Sequence, residues 1–386
     1  MISTIILILQ ISYAILILGS LVFHWICIYC TIDFFNRKPI DDREVEVSGV
    51  SVLVPICGLD DQAWENWSSL CCQIDCDRYE ILFGVADPND PAIPVLKALQ
   101  ATYPDRVQIL IDLPPRGVNY KDSTLSYLLE HCQYDWLIFA DSDIRVKPTY
   151  IHDVVAPLVA DRADLITCAF IARNPKYLGS ALASLNRCCD FIPSALVARK
   201  LDGGLRFAIG MTIALSRETL ERSGGLHLDR IGSDYNLGKR VAKAGFRVEL
   251  FHQVLESDTG NENLRDLYQR ELRWSRTIRF NRGRVYYAMV FCFGGLYGFP
   301  LLMTINHPVW AILILGVTLI TRYTQAFVAC WVMGAPRLLR WFPWLLLRDS
   351  LSFWTWLVGG VGQTVVWRGR RLRIVQDGVI QEQARR

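Results

Sequence analysis

At 386 residues the chain can hold about two domains of ordinary size. Hydrophobic residues make up 52% and charged residues 20%, with a mean hydropathy of +0.22. That excludes an ordinary soluble protein and an all-membrane one alike, and specifies a soluble domain fastened to a bilayer. A net charge of +3 gives no reason to expect a nucleic-acid partner. The 12 cysteines do not form a disulfide framework in a chain this long. Two pairs are adjacent (Cys71-Cys72, Cys188-Cys189), Cys27 lies in an apolar stretch, and no Cys/His cluster has zinc spacing. A reduced, cytosol-facing domain is expected.

Residues 1–32 carry no formal charge and are long enough to span a bilayer. The leading residues lack Lys and Arg, and no small-x-small site ends a short apolar run, which argues for an anchor over a cleaved signal peptide. Arg37-Lys38 follow, so the chain beyond is expected on the cytoplasmic side. From residue 50 strands alternate with helices: strands at 50–55, 79–85, 107–111, 136–140 and 165–171, and helices at 65–72, 94–103, 121–132 and 178–198. Residues 205–215 read as strands around Gly210, Asp234 opens a helix that runs through residue 244, and 246–251 is a last strand. Alternation of this kind specifies a doubly wound parallel α/β sheet, here over residues 48–258.

Residues 262–284 read as an amphipathic interfacial helix. Leu264, Leu267, Tyr268, Leu272, Trp274 and Ile278 share one arc, with Arg265, Arg270, Arg273 and Arg276 opposite. Apolar stretches at 285–305 and 309–333, split by Asn306-His307-Pro308, predict a membrane hairpin over 285–333 with both ends inside. Arg322 in its second leg is expected to face protein or water. Residues 341–366 are interrupted by Arg348-Asp349 and read as a re-entrant or fourth membrane segment. Residues 367–386 form a basic cytosolic tail.

In open α/β sheets ligands bind beyond the carboxyl ends of the strands. Asp87 and the pair Asp141-Ser142-Asp143 fall at that edge. Carboxylates at i and i+2 on a strand end suit a hard divalent cation, Mn2+ or Mg2+, carrying a diphosphate. Each residue also has a plainer role open to it: Asp234 as a helix cap, Asp87-Pro88 as a turn, and Arg273-Trp274 as an interface anchor.

The order Asp87, Asp141-x-Asp143, Asp234, Arg270-x-x-Arg273-Trp274 resembles the family-2, GT-A-fold glycosyltransferases. More narrowly it is similar to ceramide glucosyltransferase and its bacterial relatives that glycosylate hopanoids or glycerolipids. Val85-Ala-Asp87-Pro, Gly224-Gly-Leu226, Gly245-Phe-Arg247 and Trp367-Arg-Gly-Arg370 support the likeness. The resemblance implies a GT-A domain with N- and C-terminal transmembrane helices, a UDP-sugar donor and a ceramide-like lipid acceptor. It implies that Asp87 contacts the uracil–ribose end and Asp141 the ribose or metal side. Asp143 would then ligate Mn2+ or Mg2+, and Asp234 would act as general base of an inverting displacement. Arg273 and Trp274 would lie beside the diphosphate and acceptor, with Arg270 nearby. Asn119-x-Lys121 matches the family's Asn-x-Lys element at the donor. The chain departs from the pattern at Pro55-Ile-Cys57-Gly58, where ceramide glucosyltransferases have a Lys. It departs again at Asp122-Ser123-Thr124, where an Asn is expected, and at 188–198, which lacks the animal enzymes' His-Pro. Two alternatives stay open: the same chemistry on a hopanoid or glycerolipid acceptor, of which N-acetylglucosaminyl transfer is one form, and a non-catalytic sugar-nucleotide-binding membrane protein. The resemblance fits a bacterial inner membrane or a eukaryotic Golgi or ER membrane.

Overall fold

The computed structural model describes residues 2–37, 42–257, 260–305 and 307–383. Lys38, Asn306 and residue 258, which figure in the segments expected from the sequence, lie outside them. The chain divides into a sheet unit (Pro39–Ala172, Leu201–Gly260, Gly369–Arg386) and a membrane unit (Met1–Lys38, Arg173–Lys200, Asn261–Arg368).

The sheet unit is built on eight strands: β1 (Val50–Ile56), β2 (Tyr79–Val85), β3 (Val107–Ile111), β4 (Trp136–Ala140), β5 (Ile144–Arg145), β6 (Leu165–Ile171), β7 (Thr212–Ser216) and β8 (Val248–Ser257). Their order is β3-β2-β1-β4-β7-β6-β8-β5. β1 and β2 are buried along almost their whole length, which is why they read as unbroken apolar runs. Trp67, on helix Ala63–Cys71, is 1% exposed and sits 5.8 Å from the Phe83 ring. Each such fully buried side chain contributes about 1.5–3 kcal/mol.

The sheet corrects the expectation of a wholly parallel one. β1 to β4 pair in parallel, but β7 runs antiparallel between β4 and β6, and β5 runs antiparallel on β8. An apolar run specifies burial on both faces and carries no information on direction. Within 205–215 only Thr212–Ser216 is a strand. It starts where β4 ends, the Asp141 N–H donating to the Met211 carbonyl at 3.1 Å. That reversal places Gly210 beside the acidic strand end.

In the membrane unit, Thr4–Phe35, Leu264–Leu302 and Val309–Val332 are long and apolar enough to cross a membrane. The Ser20 hydroxyl accepts the Gly294 N–H at 3.0 Å, and a Cβ on Gly294 would collide with that oxygen. Close helix approach therefore needs the glycine. The 178–198 stretch is not one regular helix. A π-helical turn, Asn186–Phe191, joins Leu178–Leu185 to Ile192–Leu201. Helix Leu345–Gly359 has 15 residues, short of the roughly 20 that a span requires.

Charges inside this unit are paired. Arg322, 1% exposed, meets Asp190 at 2.8 Å and Asp349 at 2.6 Å. Arg348, fully buried, grips Glu271 with two bonds of 2.6 and 2.5 Å. Glu271 lies on helix Leu264–Arg282, and the buried line of that helix (Leu267, Glu271, Ser275, Thr277) is mostly polar. Leu264 is 50% exposed. On the line buried against protein, Leu267 from the apolar arc is joined by Glu271, held there by Arg348.

Candidate active site

Asp141 follows β4 directly. Lys121, on the first turn of helix Tyr120–His131, forms an ion pair with its Oδ1. The same ammonium reaches the Gly210 carbonyl at 3.4 Å. Asp234 opens helix Ser233–Lys243 and lines one small cleft with Lys121, Asp122 and Gly210. A Cβ on Gly210 would lie 2.6 Å from Asp234 Oδ2 and 3.0 Å from its Cγ, so a side chain there would displace this carboxylate. Three elements distant in sequence thus bring a cation and two acids together.

The electrostatics follow from that crowding. Burial pushes the Asp234 carboxyl above its ordinary value, opposed by the Lys121 charge and the Tyr235 N–H and reinforced by Asp141. Burial works against the charge on Lys121, but Asp141 and then Asp234 outweigh it and hold its pKa up. Burial also lifts Asp122 to about 7, with Lys121 and the Ser233 hydroxyl pulling the other way.

Asp143, two residues on, receives a long bond of 3.4 Å from the Ser257 hydroxyl at the end of β8. The intervening Ser142 carbonyl is fixed by the Trp67 indole N–H at 3.1 Å. Asp87 lies exposed past β2 at the same edge of the sheet, accepting the Asn89 N–H at 2.9 Å. Its neighbour Asp90 is buried and ties two loops together by accepting N–H groups from Gly58 (2.7 Å) and Ala92 (2.9 Å).

Asn119, expected at the donor, stands at the N-cap of helix Tyr120–His131, two residues before Lys121. It is fully buried, caps helix Tyr120–His131, and donates its amide to Asp122 and to the Arg230 carbonyl, both at 2.9 Å. It holds the loops that carry Lys121 and Asp234. Sequence alone marked neither Gly210 nor Asp122 as part of the cleft.

Arg270, Arg273 and Trp274 lie in the membrane unit, on helix Leu264–Arg282. Arg270 pairs with Glu262 at 2.7 Å and lies 5.1 Å from the Trp274 ring centroid, while Arg273 lies 5.3 Å from that of Trp367. In the same unit the thiols of Cys188, Cys189 and Cys330 lie within 4.8 Å of one another. Gln325 links the Cys189 carbonyl to Arg322, whose single charge already answers two carboxylates. The Cys188 and Cys189 sulfurs each lie 3.8 Å from that of Cys330, and all three residues are buried.

Residues 12–380 match the model of glycosyl transferase family 21. The chain belongs to that family. Over 373 residues it is 20% identical to ceramide glucosyltransferase 1 of Caenorhabditis elegans, covering 92% of this chain and 78% of that protein. A 135-residue stretch is 32% identical to ceramide glucosyltransferase of Candida albicans, covering 32% of this chain and 25% of that protein. Among solved structures it is similar to a mannosyltransferase from Pyrobaculum calidifontis in complex with GDP-Man and Mn2+. That likeness has a TM-score of 0.56 at 15% identity and covers 93% of this chain and 99% of that one. The family 21 chain is therefore a glycosyltransferase like the ceramide glucosyltransferases, with a GT-A fold and transmembrane helices.

Proposed function

We propose that this protein is a membrane-bound, inverting glycosyltransferase that moves glucose from UDP-glucose to the hydroxyl of a ceramide-like lipid, with its sheet unit in the cytosol. The observation that carries the reading is the Lys121–Asp141 pair facing Asp234 across Gly210. The N-cap of its helix is Gly232, so capping does not account for Asp234. Asp234 is the base: its raised pKa suits a carboxylate that must take a proton from an attacking hydroxyl. One displacement of this kind converts an α-linked donor into a β-glycoside. Lys121 neutralises Asp141 and keeps it directed at the donor, while Asp87 takes the uridine end. Arg270, Arg273 and Trp274 serve the diphosphate and acceptor.

The residues fit a hard divalent ion. Asp141 and Asp143 offer only oxygen donors, both are partly exposed, and the bond on Asp143 from Ser257 is long. Asp143, with Asp141 beside it, would hold Mn2+ or Mg2+, which when bound supplies charge neutralisation for the leaving diphosphate.

The test is an assay of the purified full-length protein with UDP-glucose, ceramide and Mn2+, with the product's mass and anomeric configuration determined. The reading predicts β-glucosylceramide, loss of product with a chelator, and loss of Mn2+-dependent UDP binding in Asp143→Ala. Product on a hopanoid or glycerolipid but not ceramide would move the acceptor; no product from any sugar nucleotide would overturn the reading.

A further inference from the structure

The segment Trp367-Arg-Gly-Arg370 and the basic stretch after it have no part in the chemistry above. In the sheet unit, however, strands Arg370–Ile374 and Ile380–Glu382 pair antiparallel, joined by a turn at Gln376–Gly378. That turn docks on the loop just ahead of Asp234. The Ile231 N–H donates to the Gly378 carbonyl and the Ile380 N–H to the Asp229 carbonyl, both at 2.8 Å. The Arg230 guanidinium reaches the Asp377 carbonyl at 2.7 Å. At the other end of the hairpin, Arg370 donates to the Val118 carbonyl at 3.0 Å and lies 3.7 Å over the Tyr120 ring, its own position fixed by Glu382 at 3.1 Å. Val118 and Tyr120 flank Asn119 and lead directly into Lys121.

The two loops so held are also joined to each other. The Asn119 N–H donates to the Leu228 carbonyl at 2.8 Å, and Gly117 approaches so closely that a Cβ would lie 2.5 Å from the same oxygen. One short hairpin thus contacts both segments that set the Lys121 and Asp234 side chains, and it does so largely through their backbone, whose position those side chains inherit.

We infer that the C-terminal hairpin is a clamp on the active site, with Arg370 the positioning residue that keeps Lys121 in register with Asp234. The inference deepens the functional reading and rests on it for the roles of those two residues. Arg370 acts on them through Val118 and Tyr120. Lys at this position would keep a cation over the tyrosine but lose the fork that spans the Val118 carbonyl and Glu382.

The test uses the full-length protein in detergent with UDP-glucose, ceramide and Mn2+, and follows hydrogen exchange beside kinetics. In Arg370→Ala, exchange should rise at residues 117–122 and 228–235 while β1 and β2 keep their protection. The kcat/KM for UDP-glucose should fall roughly ten- to a hundredfold, as expected when reacting groups shift by about 1 Å. Arg370→Lys should recover part of the loss, and Tyr120→Leu, a milder change on a half-exposed ring, should give the same pattern at smaller amplitude. Parent-like exchange in both segments, or a rise spread evenly over the whole sheet, would overturn the clamp. Parent-rate transfer by Asp234→Asn would overturn the functional reading instead, and the exchange result would still decide whether the hairpin holds these loops.

Discussion

In the membrane unit the fully buried Arg348 is matched bond for bond by Glu271. In the sheet unit Lys121 and Asp141 are each more than a quarter exposed. Asp234 and Asp122 are held above their ordinary pKa values because the charge nearby does not fully compensate their burial. Both arrangements place acids and bases in tight spaces. The first closes its network and so serves only the packing of helices. The second leaves protons and oxygen atoms available, which is what a displacement at a sugar carbon requires. A fully paired buried charge marks architecture, and an incompletely paired one at a strand end marks chemistry.

Breaking the closed network should cost stability. Arg348→Met strands Glu271 without its partner, and removing one member of such a pair costs about 3–5 kcal/mol. The expected result is a large loss of thermal stability in detergent, with Arg348→Met/Glu271→Leu recovering most of it. A double variant no better than the single would mean that the pair is not closed on itself. In the open network the corresponding change should spare stability and remove activity. Gly210→Ala pushes a methyl into the Asp234 carboxylate, so transfer should fall about a hundredfold while the unfolding temperature barely moves. Parent-like turnover in Gly210→Ala would separate Asp234 from the chemistry.

A smaller difference between the two networks should show in pH dependence. Asp122 has a folded pKa of about 7 against an ordinary 3.8, so the folded chain holds a proton that the unfolded chain has released. Its contribution is fully present below the unfolded pKa and is lost as pH rises through 7. Asp122→Asn keeps an acceptor for the Asn119 amide and cannot ionise. The decline in unfolding temperature between about pH 4 and 7 should therefore be shallower in the variant than in the parent. Equal slopes would contradict the assignment.

The legible parts of the sequence were those set by local pattern. β2, β3 and β6 stand where apolar runs placed them, and Asp87, Asp141 and Asp143 stand at their expected strand ends. The direction of β7 was not legible, because it depends on pairing with β4 across more than seventy residues. The same holds for Gly210, whose role exists only through Asp234, and for Asn119, whose amide bond to the Arg230 carbonyl joins loops distant in sequence. Arg348 and Asp349 read as an interruption in a hydrophobic segment. Their partners, Glu271 and Arg322, lie 77 and 27 residues away, and periodicity carries no trace of them. The π-helical turn at Asn186–Phe191 was equally hidden within a good helical pattern.

The proposed mechanism turns on Asp234 removing the acceptor's proton. The decisive measurement sets UDP-glucose affinity beside the rate of glycolipid formation in purified Asp234→Asn. The substitution keeps the side chain's size and an oxygen that can accept the first-turn N–H groups of helix Ser233–Lys243, whose N-cap is Gly232. With Asp234 as the base, donor affinity should stay within a few-fold of the parent's while the rate falls by about 10²–10⁴-fold. Transfer at close to the parent's rate would contradict that role and leave Asp234 an acid in the first turn of its helix.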